Sequence, residues 1–194
     1  MADFELITGP MYAGKTEELI RVARRLGYGG KKVVIFKPKI DDRYSFSDVV
    51  SHAGARLSSI PVESAADIMT YLRKNEDVKT IAIDEIHFFD KYIVNLIQVL
   101  LDKDYKIIAT GLDKDFRKEP FGPMPELLAI ASTVKKLKAI CMVCGDDATC
   151  TQRIIDGKPT PYDSEIVVVG EKDKYEARCD KHHELPGKPN REIF

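Results

Sequence analysis

The sequence lacks an excess of charge of either sign, because its 30 Lys and Arg residues are balanced by 31 Asp and Glu residues. It contains no dense basic run, so we predict no general attraction to nucleic acid or to an anionic membrane. Long apolar runs are also missing, since a stretch such as residues 93–101 is far too short to span a bilayer. The first residues show no basic segment and no cleavage-like site. These absences predict a cytoplasmic protein with neither a nucleic-acid nor a membrane partner.

Cysteine is scarce, and in a cytoplasmic protein a small set of cysteines favours metal binding or free thiols over disulfides. Cys141-x-x-Cys144 is followed later by Cys179-x-x-His182, which is the paired spacing of a tetrahedral zinc site. Four protein ligands leave no open coordination position, so the predicted zinc is structural. His183 remains an alternative fourth ligand, although the two-residue gap favours His182. The remaining cysteine is predicted to be a buried thiol; it is Cys150.

Internal repeats are absent, and the first two thirds of the chain alternate between two kinds of segment. Short apolar runs predict buried strands at residues 4–8, 32–37, 80–84 and 106–110. Helical spacing predicts helices at residues 17–26, 64–74, 90–101 and 123–131. The first of these helices is expected to stop at Gly27, and Ser64 is expected to cap the second. The alternation predicts an α/β fold with a mostly parallel sheet, whose ligands bind after Thr8, Ile83 and Thr110, at the carboxyl ends of its strands.

The composition and the hydrophobic pattern of the sequence change near Val134. Long helical patterns are replaced there by cysteines, glycines, prolines and short β-prone runs. We therefore predict an α/β domain at residues 1–139 and a small zinc-binding β lobe at residues 140–185. Residues 186–194 have no core pattern and are predicted to form a mobile tail.

A phosphate-binding loop is predicted between the first strand and the first helix. The pattern G-x-x-x-x-G-K-[ST] is matched by Gly9, Pro10, Met11, Tyr12, Ala13, Gly14, Lys15 and Thr16. Backbone N–H groups and the positive end of the helix suit phosphate oxygens. Lys15 is predicted to reach the β- and γ-phosphates of ATP, and the Thr16 hydroxyl is predicted to ligate Mg²⁺. A chance glycine turn is the alternative, which the strand-to-helix context disfavours.

Two acids end the buried run at residues 80–84 and extend one residue beyond it. Asp84 is predicted to complete a magnesium site with Thr16, because Mg²⁺ prefers oxygen ligands. Strand alternation is expected to direct Glu85 to the opposite face, where it could accept a proton from an attacking hydroxyl. The alternative for both residues is a solvated acidic strand end.

Five motifs occur together in one order: Gly9-Pro10-Met11-x-x-Gly14-Lys15-Thr16, Phe36-Lys37-Pro38, Asp42-Arg43-Tyr44, Asp84-Glu85-x-x-Phe88-Phe89 and Gly111-Leu112-Asp113. With this combination the sequence resembles the thymidine kinase family of the RecA-like P-loop type over residues 4–183. The resemblance implies transfer of the γ-phosphate of ATP to the 5′-hydroxyl of thymidine. It also implies a homotetramer and feedback inhibition by the deoxynucleoside triphosphate product, dTTP.

The resemblance assigns roles residue by residue. Glu85 is the implied general base, and Arg43 is the implied partner of the transferring phosphate, with Asp41 or Asp42 orienting it. The implied pocket for the base is lined by Met11, Phe88, Leu112, Phe116, Phe121 and Tyr175. Residues 162–175 resemble a lasso loop that reads the base through main-chain groups at Ile166, Val168 and Gly170, with the Thr151 side chain nearby. Surface placement is the alternative for Arg43, and plain core packing is the alternative for the aromatic residues.

Three departures from the family pattern carry expectations of their own. Ala13 stands where serine is common, with little expected effect because backbone groups bind the phosphate. His87 replaces a usual glutamine, and a buried, hydrogen-bonded histidine is favoured over a catalytic one. Glu171-Lys172 interrupts a turn that is often rich in glycine.

Two other functions use the same phosphate loop. One is a RecA-like ATPase whose zinc ribbon binds nucleic acid, and the other is a nucleotide-sensing module. A net charge of −1 argues against the first, and the pair Asp84-Glu85 argues for turnover over sensing. We expect thymidine and deoxyuridine to be preferred over purine nucleosides, whereas the breadth of acceptance does not follow from the sequence.

Overall fold

The computed structural model describes residues 2–39, 48–50, 56–167 and 174–190. A six-stranded sheet forms its centre. The strands of this sheet are β1 Asp3–Thr8, β2 Val33–Pro38, β5 Ile60–Val62, β6 Thr80–Ile83, β7 Lys106–Gly111 and β8 Thr133–Lys136. Their order across the sheet is β5-β2-β6-β7-β1-β8. Each pair of neighbouring strands is parallel. The prediction of an α/β fold with a mostly parallel sheet is therefore confirmed.

Helices cover both faces of the sheet. They are α1 Lys15–Tyr28, α2 Ala65–Lys74, α3 Tyr92–Asp102 and α4 Met124–Ile130. Consecutive residues of β1 face opposite ways, since Leu6 packs in the cluster that includes α2, α3 and α4, whereas Ile7 packs in the cluster that includes α1. This two-sided burial explains why the strands read as continuous apolar runs in the sequence.

The end of α1 corrects one prediction, because the helix continues through Gly27 to Tyr28. Gly30 adopts the left-handed conformation, with φ of 77°. Its N–H donates to the Gly27 carbonyl at 2.9 Å, and the N–H of Lys31 donates to the Leu26 carbonyl at 3.0 Å. This pattern is the Schellman motif, whose left-handed position glycine fills most easily. The sequence offered three glycines here, and the motif uses a later one than we predicted.

The start of α2 confirms the predicted cap. Ser64 is extended and immediately precedes the first helical residue. Three residues later, the Asp67 carboxylate accepts a hydrogen bond from the Ser64 N–H at 3.0 Å and another from the Glu63 N–H at 3.0 Å. The carboxylate thus satisfies backbone donors that the helix itself leaves unpaired.

Outside the central sheet, the described strands form a hairpin before β5 and two smaller sheets after β8. The hairpin pairs β3 Asp48–Val50 with β4 Arg56–Ser58. In the second half, two small antiparallel sheets use β9 Ala139–Ile140, β10 Asp147–Ala148, β11 Cys150–Ile155, β12 Lys158–Pro159 and β13 Lys174–Arg178. Their shared core consists of small residues, namely Ala139, Cys141, Ala148, Ala177 and Cys179. So small a core can gain little from apolar burial.

The second half of the chain is tied to the first at the phosphate loop. Ala13 packs against the small core of the β lobe. The N–H of Met11 donates to the Thr151 hydroxyl at 3.1 Å, and the Tyr12 hydroxyl donates to the Tyr175 carbonyl at 3.0 Å. The division at residues 139, 140 and 185 stays a prediction, as does the mobility of residues 186–194. Among the described residues, the structure contains no helix that is both long and apolar enough to cross a membrane.

Candidate active site and metal centre

The phosphate loop begins where β1 ends, and its first residue has to be a glycine. Gly9 has φ of 142°, and a Cβ atom there would lie 2.3 Å from the Leu137 carbonyl oxygen. Both the backbone conformation and the contact exclude a larger residue. Immediately before it, the buried Thr8 hydroxyl donates to the Gly111 carbonyl at 2.9 Å, which joins β1 to the end of β7.

The lysine of the loop lies within the loop that it is predicted to serve. Lys15 is only 8% exposed, and its Nζ donates to the Pro10 carbonyl at 2.8 Å. Gly14, with φ of 78°, turns the chain into α1, whose first residue is Lys15. The ammonium group and the positive end of α1 therefore lie at one place, which favours the binding of an anion.

Asp84 lies at the same edge of the sheet as this loop, because β1 and β6 are both parallel to β7. It follows β6, and its N–H extends the ladder by donating to the Phe36 carbonyl at 2.9 Å. The side chain is buried, and the hydroxyl of Thr110 at the end of β7 donates to its carboxylate. Thr110 thereby fixes the orientation of the carboxylate. Asp84 offers oxygen of the kind that Mg²⁺ prefers, with Thr16 as the second predicted ligand.

Glu85 reaches its position by a different route from the one that strand alternation predicts. The strand ends at Ile83, and Glu85 has φ of 50°, in the left-handed region. A short 3-10 helix, Ile86–Phe88, starts directly after it. The alternation argument was therefore wrong, because a turn and not a pleat sets the direction of this side chain. A non-glycine residue in this conformation is strained, and such strain is often found at functional sites.

His87 joins Glu85 to the aromatic residues of the expected base pocket. Its Nδ1 accepts a hydrogen bond from the Leu112 N–H at 3.1 Å and lies 3.4 Å from a carboxylate oxygen of Glu85. The ring is 1% exposed, and its centroid lies 4.2 Å from that of Phe88 and 4.5 Å from that of Phe121. The buried, hydrogen-bonded histidine that the sequence favoured is what the structure contains. It brings Leu112, Phe88 and Phe121 into one cluster.

The remaining described residues of the expected base pocket lie in the lobe or in segments that contact it. Thr151 is buried beside Met11, and Tyr175 is half-buried beside Tyr12. Phe116 is only 3% exposed, so its ring is mostly covered by protein. Ile166 is exposed. Several further predicted residues lie outside the described part of the chain, namely Arg43 with Asp41 and Asp42, Val168, Gly170, and Glu171-Lys172.

The predicted zinc ligands converge. The ligand atoms of Cys141, Cys144, Cys179 and His182 all lie within 4.8 Å of one another. The Sγ atoms of Cys144 and Cys179 are 3.8 Å apart, and His182 Nδ1 lies 3.2 Å from Cys179 Sγ and 3.9 Å from Cys141 Sγ. Tetrahedral coordination with Zn–S bonds of about 2.3 Å would separate two sulfurs by about 3.8 Å. The three thiols and the imidazole thus fit a zinc ion in both type and spacing.

The two remaining candidates near the metal centre have other contacts. His183 Nε2 lies 2.8 Å from the Phe116 carbonyl oxygen. Burial lowers the pKa of this imidazole, so it is neutral at pH 7 and can donate one hydrogen bond to that carbonyl. Cys150 is buried beside Thr149 and Asp180, and burial raises the pKa of its thiol. This geometry favours His182 as the fourth ligand and agrees with Cys150 as a buried thiol.

Our sequence analysis missed the roles of three polar residues that organise the site: Thr110, named only as a strand end, His183, named only as an alternative zinc ligand, and Arg153, which it did not name. Thr110 orients Asp84, and His183 contacts the backbone of Phe116. Arg153, in β11, is 2% exposed, and its guanidinium carbon lies 5.5 Å from the centroid of the Phe116 ring. A polar residue at the end of an apolar run was a usable signal for Thr110. Nothing in the local sequence marked the contacts that Arg153 and His183 make, because their partners are distant along the chain.

The fold is similar to two solved structures at low sequence identity. Domain III of the Thermotoga maritima replication initiation protein DnaA shares 13% identity, with a TM-score of 0.42, over 70% of this chain and 55% of that one. The Pif1 helicase from Candida albicans shares 16% identity, with a TM-score of 0.46, over 74% of this chain and 38% of that one. Likenesses at these scores carry no argument about function.

The similarity to one protein family covers more of the chain. A model described as thymidine kinase matches residues 2–183, which is nearly the whole chain. The match includes the phosphate loop, the acidic pair after β6 and the four clustered metal-ligand residues. The chain therefore belongs to the thymidine kinase family.

Proposed function

We propose that the protein transfers the γ-phosphate of ATP to the 5′-hydroxyl of thymidine, giving dTMP and ADP, with deoxyuridine as a second acceptor. The observation that carries this proposal is the position of the Lys15 ammonium inside the phosphate loop, at the edge of the sheet where Asp84 and Glu85 follow β6. A phosphate-binding group, a magnesium ligand and a base at one edge suit phosphoryl transfer to an alcohol. Membership of the thymidine kinase family supports thymidine as that alcohol.

The donor half of the reaction rests on the phosphate loop. Its backbone N–H groups and Lys15 would hold the β- and γ-phosphates, and Thr16 and Asp84 would ligate Mg²⁺. The metal ion, when bound, neutralises charge on the phosphate oxygens. Thr110 would keep the Asp84 carboxylate turned toward its ligand position, because the hydroxyl donates to that carboxylate. Most of this chemistry is positioning and charge stabilisation.

The acceptor half rests on Glu85. The 5′-oxygen of thymidine would bond to the γ-phosphorus while the bond from that phosphorus to the β–γ bridging oxygen breaks. The hydroxyl proton would pass to the Glu85 carboxylate, and ADP would leave. Arg43 would stabilise charge on the transferring group, with Asp41 or Asp42 orienting its guanidinium.

Selection of the base would depend on flat apolar surfaces and on backbone groups. Phe88, Phe121 and Leu112 form one side through their shared contacts with His87. Met11, Phe116, Thr151 and Tyr175 would contribute from the phosphate loop and the lobe, and the main chain at Ile166, Val168 and Gly170 would read the edge of the base. A pyrimidine that pairs these groups is favoured over bases that leave them unpaired.

The remaining features of the proposal come from the family and from the lobe. The cluster Cys141, Cys144, Cys179 and His182 would hold a structural zinc ion, because four protein ligands leave no position for a substrate. We further propose a cytoplasmic homotetramer that is active in nucleotide salvage and is inhibited by dTTP. The domain boundaries at residues 139, 140 and 185 and the mobile tail are part of the same proposal.

Release of ADP from ATP-Mg²⁺ tests the proposed function. We expect strong stimulation by thymidine and deoxyuridine, with weak stimulation by deoxycytidine and deoxyguanosine. ADP release that ignores every nucleoside and responds to single-stranded DNA would instead favour the RecA-like ATPase with a nucleic-acid-binding zinc ribbon. Equal stimulation by all nucleosides would contradict the proposed recognition of the base.

A further inference from the structure

We propose that Arg153 is a positioning residue that holds two nucleoside-binding segments at a fixed separation, an inference that rests on the proposed function. The first segment is the acceptor loop, residues 112–121. The second is the lasso root, residues 162–167. Arg153 lies on β11 of the lobe and contacts both.

The contacts of Arg153 form a link between the two segments. Its Nη1 donates to the Glu165 carbonyl in the lasso root at 2.6 Å. Its guanidinium carbon lies 5.5 Å from the centroid of the Phe116 ring in the acceptor loop, within the range of a cation–π contact. Burial of a guanidinium is unfavourable unless specific contacts compensate for it. Burial of the Arg153 guanidinium in this small lobe is therefore favourable only because its contacts with the two segments compensate for the lost hydration.

Hydrogen bonds to one buried carboxylate tie the tip of the acceptor loop together. The buried Asp115 carboxylate accepts hydrogen bonds from the N–H of Arg117 at 2.8 Å and from the N–H of Glu119 at 3.0 Å. Phe116 lies between Asp115 and Arg117 in the sequence, and the lobe contacts it at two points. His183 Nε2 lies 2.8 Å from the Phe116 carbonyl oxygen, and the Arg153 guanidinium lies over the Phe116 ring. The hydrogen bonds to the Asp115 carboxylate link the position of Phe116 to the backbone at Arg117 and Glu119.

The lasso root has two further contacts, both through Tyr162. The Arg117 guanidinium carbon lies 5.3 Å from the centroid of the Tyr162 ring. The Tyr162 N–H also donates to the Pro186 carbonyl at 2.9 Å. Together with the bond from Arg153 to Glu165, these contacts fix the start of the segment whose main chain is proposed to read the base.

The geometry requires the particular shape of arginine. A planar guanidinium can lie over a ring while an N–H at its edge donates to a carbonyl. Lysine keeps the charge and can reach one partner, whereas methionine keeps much of the length and loses both contacts. Because the two segments enclose the base, their separation sets the width available to it. Arg153 would thereby favour a pyrimidine over a purine without touching the nucleoside.

Steady-state kinetics of Arg153→Lys and Arg153→Met test this role. We expect the KM for thymidine to rise about ten-fold or more in both variants, with a much smaller change in kcat and no change in the KM for ATP. The preference for thymidine over deoxyguanosine should narrow. Metal content should stay at the wild-type value. Arg73→Lys, a change at an exposed arginine of α2, is the matched control and should behave as wild type.

The alternative outcomes separate the two proposals. Wild-type protein that transfers no phosphate to thymidine would overturn the proposed function, and this inference with it. An active wild type with an unchanged thymidine KM in both variants would overturn the role of Arg153 alone. Equal rises in the KM for ATP and for thymidine, or loss of folding in both variants, would make Arg153 a general structural residue and would also overturn it.

Discussion

At the scale of single residues, the left-handed conformation of Glu85 is the feature on which the proposed chemistry depends most. The chain leaves β6 at Ile83, so Asp84 still follows the sheet ladder while Glu85 turns away from it. Adjacent carboxylates in this arrangement can serve different partners, one the metal ion and the other the acceptor hydroxyl. The His87 ring, which accepts a hydrogen bond from the Leu112 N–H, lies next to this turn, with its Nδ1 3.4 Å from a carboxylate oxygen of Glu85.

Glu85→Gln should lower kcat by roughly 10²- to 10⁴-fold, which is the usual contribution of general acid–base catalysis. Binding of ATP-Mg²⁺ should stay near the wild-type value, because the amide keeps the shape of the side chain and the phosphate loop is untouched. Turnover and ATP affinity measured side by side check this expectation. Glu76→Gln, at an exposed position after α2, is the control. Near-normal turnover of Glu85→Gln would remove this residue from the mechanism.

Two glycines, one at the start of the phosphate loop and one in the last turn of α1, should respond oppositely to substitution by alanine. Gly9→Ala should sharply reduce stability and ATP binding, because its Cβ would lie 2.3 Å from the Leu137 carbonyl oxygen and φ is 142°. Gly27→Ala should stabilise the protein by about 0.5–1 kcal/mol, since glycine is a poor helix former. No atom lies within 4 Å of a Cβ at Gly27. Urea unfolding of both variants gives the comparison, and a stable, ATP-binding Gly9→Ala protein would contradict the steric account.

At the scale of secondary-structure elements, caps decide where the helices begin and end. The Schellman motif at Gly30 ends α1, and the acidic residue Asp67 secures the start of α2. Both devices use backbone groups that a helix cannot pair internally. Their positions follow from local chemistry, whereas the strands depend on long-range pairing. The exposed edge strand β8 illustrates the difference, because its polar sequence gave no strand signal.

Asp67→Ala should destabilise the protein by about 1 kcal/mol at neutral pH, as the loss of a helix cap usually does. Hydrogen bonds from the backbone at Glu63, and then at Ser64, lower the pKa of Asp67 below its ordinary value of 3.8. The contribution is therefore complete above that value and disappears as the pH falls through the lower, folded-state pKa. The difference in unfolding free energy between wild type and Asp67→Ala should shrink in acid. A difference that is independent of pH would contradict the assignment to the ionised carboxylate.

At the scale of the whole molecule, the small core around the candidate metal site contacts the phosphate loop as well as the rest of the lobe. Ala13 of the loop packs on the small core that contains Cys141 and Cys179. Met11 and Tyr12 are hydrogen-bonded to Thr151 and Tyr175 in the lobe. Because alanine and cysteine bury little apolar surface, metal binding would supply much of the folding free energy here.

Cys144→Ser should lose the metal ion, disorder the lobe and weaken ATP binding, since the phosphate loop loses its support. Cys150→Ser is a matched control, because Cys150 is buried in the same lobe and is not part of the ligand cluster. Metal analysis, near-ultraviolet circular dichroism and ATP titration check the three effects. A folded, metal-free Cys144→Ser protein with normal ATP affinity would contradict the structural role of zinc.

The sequence predicted those features whose signal is local or fixed in spacing. The phosphate loop and the acidic pair each lie within one short segment, and the metal ligands form two short pairs of fixed spacing that folding brings together. The strand-alternation argument for Glu85 was wrong, because β6 ends at Ile83 and Glu85 lies in a turn with φ of 50°. The contacts of Arg153 and His183 were not predicted, because their partners, Glu165 and Phe116, are brought to them only by folding. Residues at the tip of the lasso and Arg43 stay predictions.

The most direct test of the account follows the phosphate itself. ATP labelled with ¹⁸O on the γ-phosphate would be incubated with Mg²⁺, thymidine and the wild-type protein, and the products would be identified by mass spectrometry. The account predicts that the label appears in thymidine 5′-monophosphate, in amounts equal to the ADP released. Label that accumulates as inorganic phosphate, at a rate indifferent to thymidine, would contradict it.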